Sequence, residues 1–66
     1  MVETNEIIKK VLDGMTDTNR YIFRKRFIEE KTQAEIAKVL GVSQMTISRA
    51  EKAIVDRFRK EVEKEA

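Results

Sequence analysis

A single glycine, Gly41, separates two segments that each have the residue pattern of a helix, within the stretch KTQAEIAKVLGVSQMTISRAEKAI at residues 31–54. The first of these helices is expected to end at Gly41, because glycine readily takes the left-handed backbone conformation that closes many helices. A second helix would begin two residues later, at Ser43. Since only a short turn joins them, the two helices have to pack against each other at a steep angle.

Local start signals precede both of these helices. Thr32 and Glu35 have the spacing of a capping box, in which each side chain satisfies a backbone N–H near the other residue. Ser43 is a favourable cap for the following helix, and Ala37 is small enough to let the two backbones approach closely. Apolar residues would fill the corner: Ile36, Leu40, Val42 and Ile47, with Val39 extending the apolar side of the first helix. This combination is the helix-turn-helix pattern.

Helices are also expected in the rest of the chain, which has no proline and only one other glycine, Gly14. A helix from about Thr4 to Leu12 would end at Gly14 in the left-handed conformation, and Thr16 would cap the next helix. Apolar residues recur at helical spacing in each segment. They are Ile7, Ile8, Val11 and Leu12 in the first helix, Ile22, Phe23, Phe27 and Ile28 in the second, and Ile47, Ala50, Ile54 and Phe58 in the last.

These elements predict an all-α fold, a small domain of about four helices that contains a helix-turn-helix and is winged-helix-like but without a wing. Residues 1–14 would form an N-terminal helix that packs on the domain, residues 15–60 the helix-turn-helix domain, and residues 61–66 a charged tail that frays. With 66 residues, the chain is near the lower size limit for a core that has no disulfide or metal to support it.

Composition excludes several classes of function. The chain has no Cys and no His, which rules out thiol nucleophiles, Ser-His pairs and the usual zinc sites, so we expect neither a cofactor nor enzymatic activity. The net charge of +2 permits nucleic-acid binding without arguing for it. No apolar run reaches the ~18 residues of a membrane span, and no signal-peptide pattern is present. A cytoplasmic protein that does not bind membranes is therefore expected.

The second helix of a helix-turn-helix is the one that enters a DNA major groove. At the start of this helix the outward residues would be Gln44, Met45, Thr46, Ser48 and Arg49. Gln can pair with adenine and Arg with guanine in bidentate fashion, Thr and Met can contact a thymine methyl, and Ser can bind a base or a phosphate. The alternative is a helical hairpin in a small bundle, which does not require both caps, the small residue and the glycine together.

The stretch KTQAEIAKVLGVSQMTISRAEKAI resembles region four of bacterial RNA polymerase sigma factors, and it is especially similar to the stress-response and sporulation sigma factors of Gram-positive bacteria. In that family, a segment of the form K-T-Q-x-E-(I/V)-A-x-x-L-G-(V/I)-S-Q is followed by x-x-(V/I)-S-R-x-E-K. The preceding MTDTNRYIFRKRFIEEKT also resembles the family, whose Arg-x-Arg-aromatic triplet corresponds to Arg24, Arg26 and Phe27. The resemblance covers Met15 to about Arg59.

The resemblance implies recognition of the minus-35 promoter element as double-stranded DNA, and docking on the flap of the polymerase β subunit. Base contacts would come from Gln44, Met45, Thr46, Ser48 and Arg49. Phosphate contacts would map to Lys31, Thr32, Gln33, Arg24 and Arg26. The flap contact would fall on Ile22, Phe23 and Phe27. Lys52 lies near the side of Arg49 on the last helix and completes the predicted phosphate contacts, with an ion pair to Asp56 as the alternative.

The sequence also departs from the family. Housekeeping sigma factors usually have charged residues at the positions of Gln44, Met45 and Ser48. The six-base-pair DNA sequence that those factors recognise is therefore not assumed to be the target. Nothing corresponds to the regions that bind the minus-10 element or melt DNA. An excised domain, one half of a split sigma factor and a phage or plasmid regulator all stay open. So does a protein-interaction module that binds the flap or an anti-sigma factor with little DNA affinity. A monomer is expected.

Overall fold

The computed structural model describes residues 4–65 of the chain. In chain order the elements are α1 (Thr4–Asp13), α2 (Asp17–Phe23), a π-helix (Arg24–Ile28), α3 (Gln33–Leu40) and α4 (Gln44–Glu65). These residues form helices and turns but no strand, which confirms the predicted all-α class. No helix in this part of the chain is both long and apolar enough to cross a membrane. Residues 1–3 of the predicted N-terminal unit lie outside the described residues.

α1 packs its apolar face against α4. Val11 is buried, Ile7 and Leu12 pack beside it, and Ile8 is half-buried. All four apolar residues predicted for this helix are therefore turned at least partly away from solvent. A helix of ten residues is only marginally stable by itself, so the contact with α4 is what keeps α1 folded.

Gly14 follows the last residue of α1, as predicted, but not in the predicted conformation. Of the two glycines only Gly41 has a positive φ, and the Gly14 N–H donates to the Val11 carbonyl at 3.2 Å. A Cβ atom placed on Gly14 would lie 2.6 Å from Nη2 of Arg57 on α4. A Cβ atom at Gly14 would therefore displace the flexible end of the Arg57 side chain, a contact that the local sequence did not reveal.

α2 passes directly into the π-helix, and the end of this helical unit differs from the prediction. Thr16 caps α2 as expected. Ile22 is buried and Phe23 is half-buried, but Phe27 is 46% and Ile28 65% exposed. Each π-helical hydrogen bond reaches five residues along the chain instead of four. The apolar stripe expected from α-helical spacing therefore turns outward at these two positions.

The segment from α3 to α4 has the predicted caps and the predicted turn. Thr32 accepts the Glu35 N–H at 3.1 Å while Glu35 accepts the Thr32 N–H at 3.2 Å, which completes the capping box. Gly41 ends α3 in the left-handed region, at φ 69° and ψ 32°. Ser43 caps α4 by accepting the Thr46 N–H at 3.2 Å. The helix-turn-helix is therefore confirmed at the residues where the sequence predicted it.

The core lies where α4 meets the other helices. Its buried residues are Val11, Met15, Ile22, Ile36, Ala37, Ile47 and Ile54, with Leu40, Ala50 and Phe58 packed against them. Val39 and Val42, both expected on the apolar side, are instead 69% and 41% exposed. Val39 lies about 110° around α3 from the mean direction of Ile36, Ala37 and Leu40, and Val42 lies in the turn itself. These two predictions were wrong because Val39 lies outside the arc of α3 that packs on the core and Val42 is not part of a helix.

α4 continues through Glu65, so the segment predicted to fray from residue 61 is helical as far as the described residues reach. Residue 66 lies outside them. Lys10 Nζ on α1 lies 3.6 Å from Oε2 of Glu61, and the Glu61 side chain is only 15% exposed. This pairing joins residue 61 of α4 to α1, a contact that the local sequence did not indicate.

Candidate nucleic-acid interface

The first turns of α4 present five exposed side chains on one face, which we call the recognition face. They are Gln44, Met45, Ser48, Arg49 and Lys52. At about 100° per residue they occupy an arc of about 140°, on the side away from the buried Ile47 and Ile54. Because Ile47 is fully buried where α3 packs on α4, the recognition face is held rigidly on the fold.

Thr46, the remaining residue predicted to contact a base, lies about 60° beyond Arg49 around the helix. Its hydroxyl is 2.9 Å from Oγ of Ser43, and its N–H donates to the same oxygen. The sequence correctly indicated that Thr46 is exposed, but not that its hydroxyl has an internal partner. Thr46 therefore acts at the cap of α4, beside the recognition face rather than within it.

The recognition face combines an amide, a thioether, a hydroxyl, a guanidinium and an ammonium group. An amide and a guanidinium can each form two hydrogen bonds with one base edge in the major groove, and a thioether suits a thymine methyl. Arg49 and Lys52 form no ion pair within residues 4–65, and the pair of Lys52 with Asp56 that the spacing allowed is not made there. Both cations are therefore available to an anionic partner.

The residues predicted to contact phosphate differ in whether their side chains already bind other groups of the protein. Arg24 and Lys31 are exposed, and their side chains form no ion pair in the described part of the chain. Arg26, in contrast, donates from Nε to Oε1 of Glu51 at 2.6 Å and from Nη1 to the Lys31 carbonyl at 3.4 Å. The Thr32 hydroxyl is engaged in the capping box. Among the cations predicted to contact phosphate near the start of the domain, Arg24 and Lys31 thus have no ion pair in the described residues, whereas Arg26 has one.

A chain of polar contacts runs beside the recognition face, and sequence reasoning missed its central residue, Glu51. Glu51 accepts from Arg26 on one carboxylate oxygen and from Nε2 of Gln33 on the other. Oε1 of Gln33 accepts in turn from Nε2 of Gln44 at 3.4 Å. We call these four residues the polar relay. One sequence signal could have indicated it, because Glu51 lies seven residues after Gln44 and so on the same side of α4.

The capping box also sets the charge at the start of α3. The backbone N–H of Thr32 and then its hydroxyl lower the pKa of Glu35 below its ordinary value of 4.5, desolvation opposes them, and the positive charge of Lys31 lowers the pKa slightly further. Glu35 is therefore ionised at neutral pH, next to Lys31. Within residues 4–65, no three acidic side chains converge as a metal site would require.

A second exposed surface lies between the π-helix and α4. It is an apolar groove lined by Phe23, Phe27, Ile54, Val55 and Phe58. The ring centroid of Phe23 lies 5.6 Å from that of Phe27 and 5.3 Å from that of Phe58. Ile22, which was predicted to contact the flap with Phe23 and Phe27, is only 2% exposed and belongs to the core. The groove therefore contains two of the three residues predicted for that contact.

A helix-turn-helix with an exposed, partly cationic face at the start of its second helix defines a domain of the DNA-binding class. Comparison with known families identifies it further: residues 11–60 match the family described as sigma-70, region 4, and the chain belongs to this family. Its members are DNA-binding domains of transcription initiation factors rather than enzymes.

The named relatives are RNA polymerase sigma factors. The RNA polymerase sigma-G factor of Bacillus subtilis (strain 168) is 38% identical over 55 residues, which are 83% of this chain and 21% of the relative. The sigma-E factor of Clostridium acetobutylicum is 35% identical, over 91% of this chain and 33% of its own length. SigF of Mycobacterium tuberculosis (strain H37Rv) is 31% identical, over 94% and 24%. The chain thus spans about a fifth to a third of these relatives. No solved structure matches.

Proposed function

We propose that this domain recognises a minus-35-type promoter element as double-stranded DNA, in association with RNA polymerase, during transcription initiation. The observation that carries the proposal is the recognition face, because five exposed side chains with base-reading and cationic chemistry project from the start of a rigidly held helix. Membership of the sigma-70 region 4 family supports the same function. Association with RNA polymerase implies a cytoplasmic location.

Within this proposal, Gln44, Met45, Ser48 and Arg49 contact bases in the major groove. Of the cations predicted to contact phosphate, we assign this role to the three that form no ion pair in the described residues: Lys31, Arg24 and Lys52. Thr32 and Gln33 lie beside this path, at the start of α3. Arg26 and Thr46 are left out of the proposed DNA contacts because their side chains already bind Glu51 and Ser43.

Selection from random duplex DNA, with and without core RNA polymerase, tests the proposal directly. We expect enrichment of one short motif, and a stronger signal when polymerase is present, since tethering raises the effective concentration of a small domain at DNA. Binding should weaken steeply with added salt because cations on the protein replace counterions on the phosphates. Enrichment of no motif in either arm would contradict promoter recognition.

Two arginines on α4 allow a matched comparison. Arg49→Ala removes a side chain of the recognition face, and we expect affinity for the selected duplex to fall about 5- to 150-fold, the range for one bidentate base contact. Arg57→Ala removes the same charge from the side of α4 near Gly14, and should change affinity little. Fluorescence anisotropy measures both. Equal losses for the two variants would mean that only net charge matters.

A second candidate function is protein binding through the apolar groove, with the polymerase β flap or an anti-sigma factor as partner and little DNA affinity. This function is favoured by the apolar groove itself, in which the Phe27 side chain is 46% exposed. Phe27→Ala should weaken binding to core polymerase in the absence of DNA by about tenfold, whereas Ile28→Ala, on the neighbouring exposed apolar residue, should not. Equal binding by both variants would argue against this surface. The free domain is proposed to be a monomer, which sedimentation can test.

A further inference from the structure

We propose that Glu51 is a positioning residue for base readout, because it orients the Gln33 and Gln44 side-chain amides through the polar relay. This inference rests on the proposed function, in which Gln44 contacts a base. The Glu51 side chain is 14% exposed and points at α3 and the π-helix rather than at the recognition face. It therefore acts through other residues and does not touch DNA itself.

The chemistry of a carboxylate sets the direction of the relay. An ionised carboxylate only accepts hydrogen bonds, so each of its partners has to present an N–H. One oxygen of Glu51 accepts from Nε of Arg26 at 2.6 Å, and the other accepts from Gln33. Gln33 must then direct Nε2 towards Glu51. Its carbonyl oxygen, Oε1, is thereby left facing Gln44 at the start of α4.

Gln44 is the last member of the relay and the first residue of α4. Its Nε2 donates to Oε1 of Gln33 at 3.4 Å, so one of its two amide hydrogens is used inside the protein. The second hydrogen and the carbonyl oxygen stay available, and this pair is what a bidentate contact to adenine N7 and N6 requires. If the Gln44 amide were reversed, it could not donate to Gln33 and also form the bidentate contact with adenine. Fixing the orientation of this amide therefore favours adenine over other bases.

The substitution Glu51→Gln changes which groups donate and which accept hydrogen bonds along the relay, while the side chain at position 51 keeps nearly the same shape. The amide of the new side chain has one acceptor, which Arg26 would occupy, and its donor would then face Gln33. Gln33 would have to turn its carbonyl inward and its Nε2 towards Gln44. Gln44 would then accept this bond with its carbonyl oxygen, and both of its amide hydrogens would point away from Gln33. The preference for adenine at the contacted base pair should therefore be lost.

The test compares the full chain with its Glu51→Gln and Glu63→Gln variants on the selected duplex and on duplexes that differ at single base pairs. Glu63 is an exposed residue of α4 outside the relay, so its substitution controls for the change in charge. Glu51→Gln should reduce discrimination at the base pair read by Gln44 by about tenfold and leave the base pair read by Arg49 unchanged. In a Gln44→Ala background the same substitution should have no effect on discrimination.

Each outcome bears on a different claim. A role in stability alone would lower the melting temperature and weaken binding to all duplexes alike, and that result overturns the inference. So does an unchanged base preference in folded Glu51→Gln. If this variant does not fold, Gln33→Ala interrupts the relay between Glu51 and Gln44 and should lose discrimination at the same base pair, not affinity for every duplex. A wild-type chain with no base preference would overturn the proposed function, and the inference with it.

Discussion

Two helix ends in this domain have the same backbone conformation but different residues. α3 ends at Gly41 with φ 69°, and the π-helix is followed by Glu30 with φ 59°. Glycine takes this left-handed conformation at almost no cost, whereas a side chain with a Cβ atom resists it. The first turn is therefore favoured by its own residue, and the second is imposed by the structure around it.

The two turns also differ in what they control. The Gly41 turn points the recognition face away from the core, and its inner side is packed by Ala37, which is 6% exposed. The Glu30 turn directs the chain from the π-helix into Lys31 and the capping box, with Ile28 left in solvent. The difference suggests that substitutions will destabilise the packed turn and can stabilise the strained one.

The largest effect is expected for Gly41→Val, which should lower the free energy of unfolding by about 3 kcal/mol. A Cβ atom at this position would meet no other atom within 4 Å, so the loss would come from backbone strain alone. Gly41→Asn is the control, because asparagine tolerates the left-handed region and should cost less. Urea unfolding measures both. Equal stability of Gly41→Val and the wild type would contradict the strain argument.

Ala37→Leu should destabilise the fold by about 2 kcal/mol, because three further carbon atoms have to enter the packed corner between α3 and α4. Ala34→Leu makes the same change at an exposed position of the same helix, and its stability should stay close to that of the wild type. Thermal melts followed by circular dichroism compare the two. A neutral Ala37→Leu variant would mean that the corner is loosely packed.

Glu30→Gly is expected to act in the opposite direction and stabilise the domain by about 1 kcal/mol, since glycine relieves the left-handed strain at φ 59°. Glu30→Ala removes the same carboxylate but keeps the Cβ atom, so it should leave stability nearly unchanged. If both variants gave the same unfolding midpoint, the effect would be one of charge, and the comparison of the two turns would fail.

The smallest effect concerns pH. The folded pKa of Glu35 lies below its unfolded value, so the capping box stabilises the domain above the unfolded pKa and this contribution is lost as pH falls through the folded pKa. Acidification from about pH 5 to pH 3 should therefore lower the melting temperature less in Glu35→Gln than in the wild type, because Gln keeps the box without a titratable group. Glu63→Gln should titrate like the wild type.

Where prediction from the sequence succeeded, the signal was local. Thr32, Glu35, Gly41 and Ser43 each act on backbone groups within a few residues, so their types and spacing were enough to predict α3, the turn and the start of α4. The recognition face followed from the same signals, since the buried Ile47 fixes which side of α4 is left outside. The contact between the hydroxyl groups of Thr46 and Ser43 was not predicted.

Several features could not be predicted because they depend on contacts between distant parts of the chain. Arg26 and Glu51 are 25 residues apart, and Gln33 and Glu51 are 18 apart, so the spacing could not reveal that Arg26 and Gln33 both bind Glu51. Arg57 of α4 approaches Gly14, and Lys10 of α1 lies 3.6 Å from Glu61 of α4, and neither contact could be read from the local sequence. The π-helix contains no residue type or cap from which it could have been predicted.

The sequence by itself thus determined the helix-turn-helix, because caps and a left-handed glycine act through hydrogen bonds and backbone conformations of neighbouring residues. Only the tertiary structure decided which of the predicted polar side chains remain free to bind DNA. Arg24, Lys31, Arg49 and Lys52 stay without an ion pair in the described residues, whereas Arg26 and Gln33 are bound by Glu51. The reason is that a side chain's availability depends on which partners the packed helices bring within hydrogen-bonding distance.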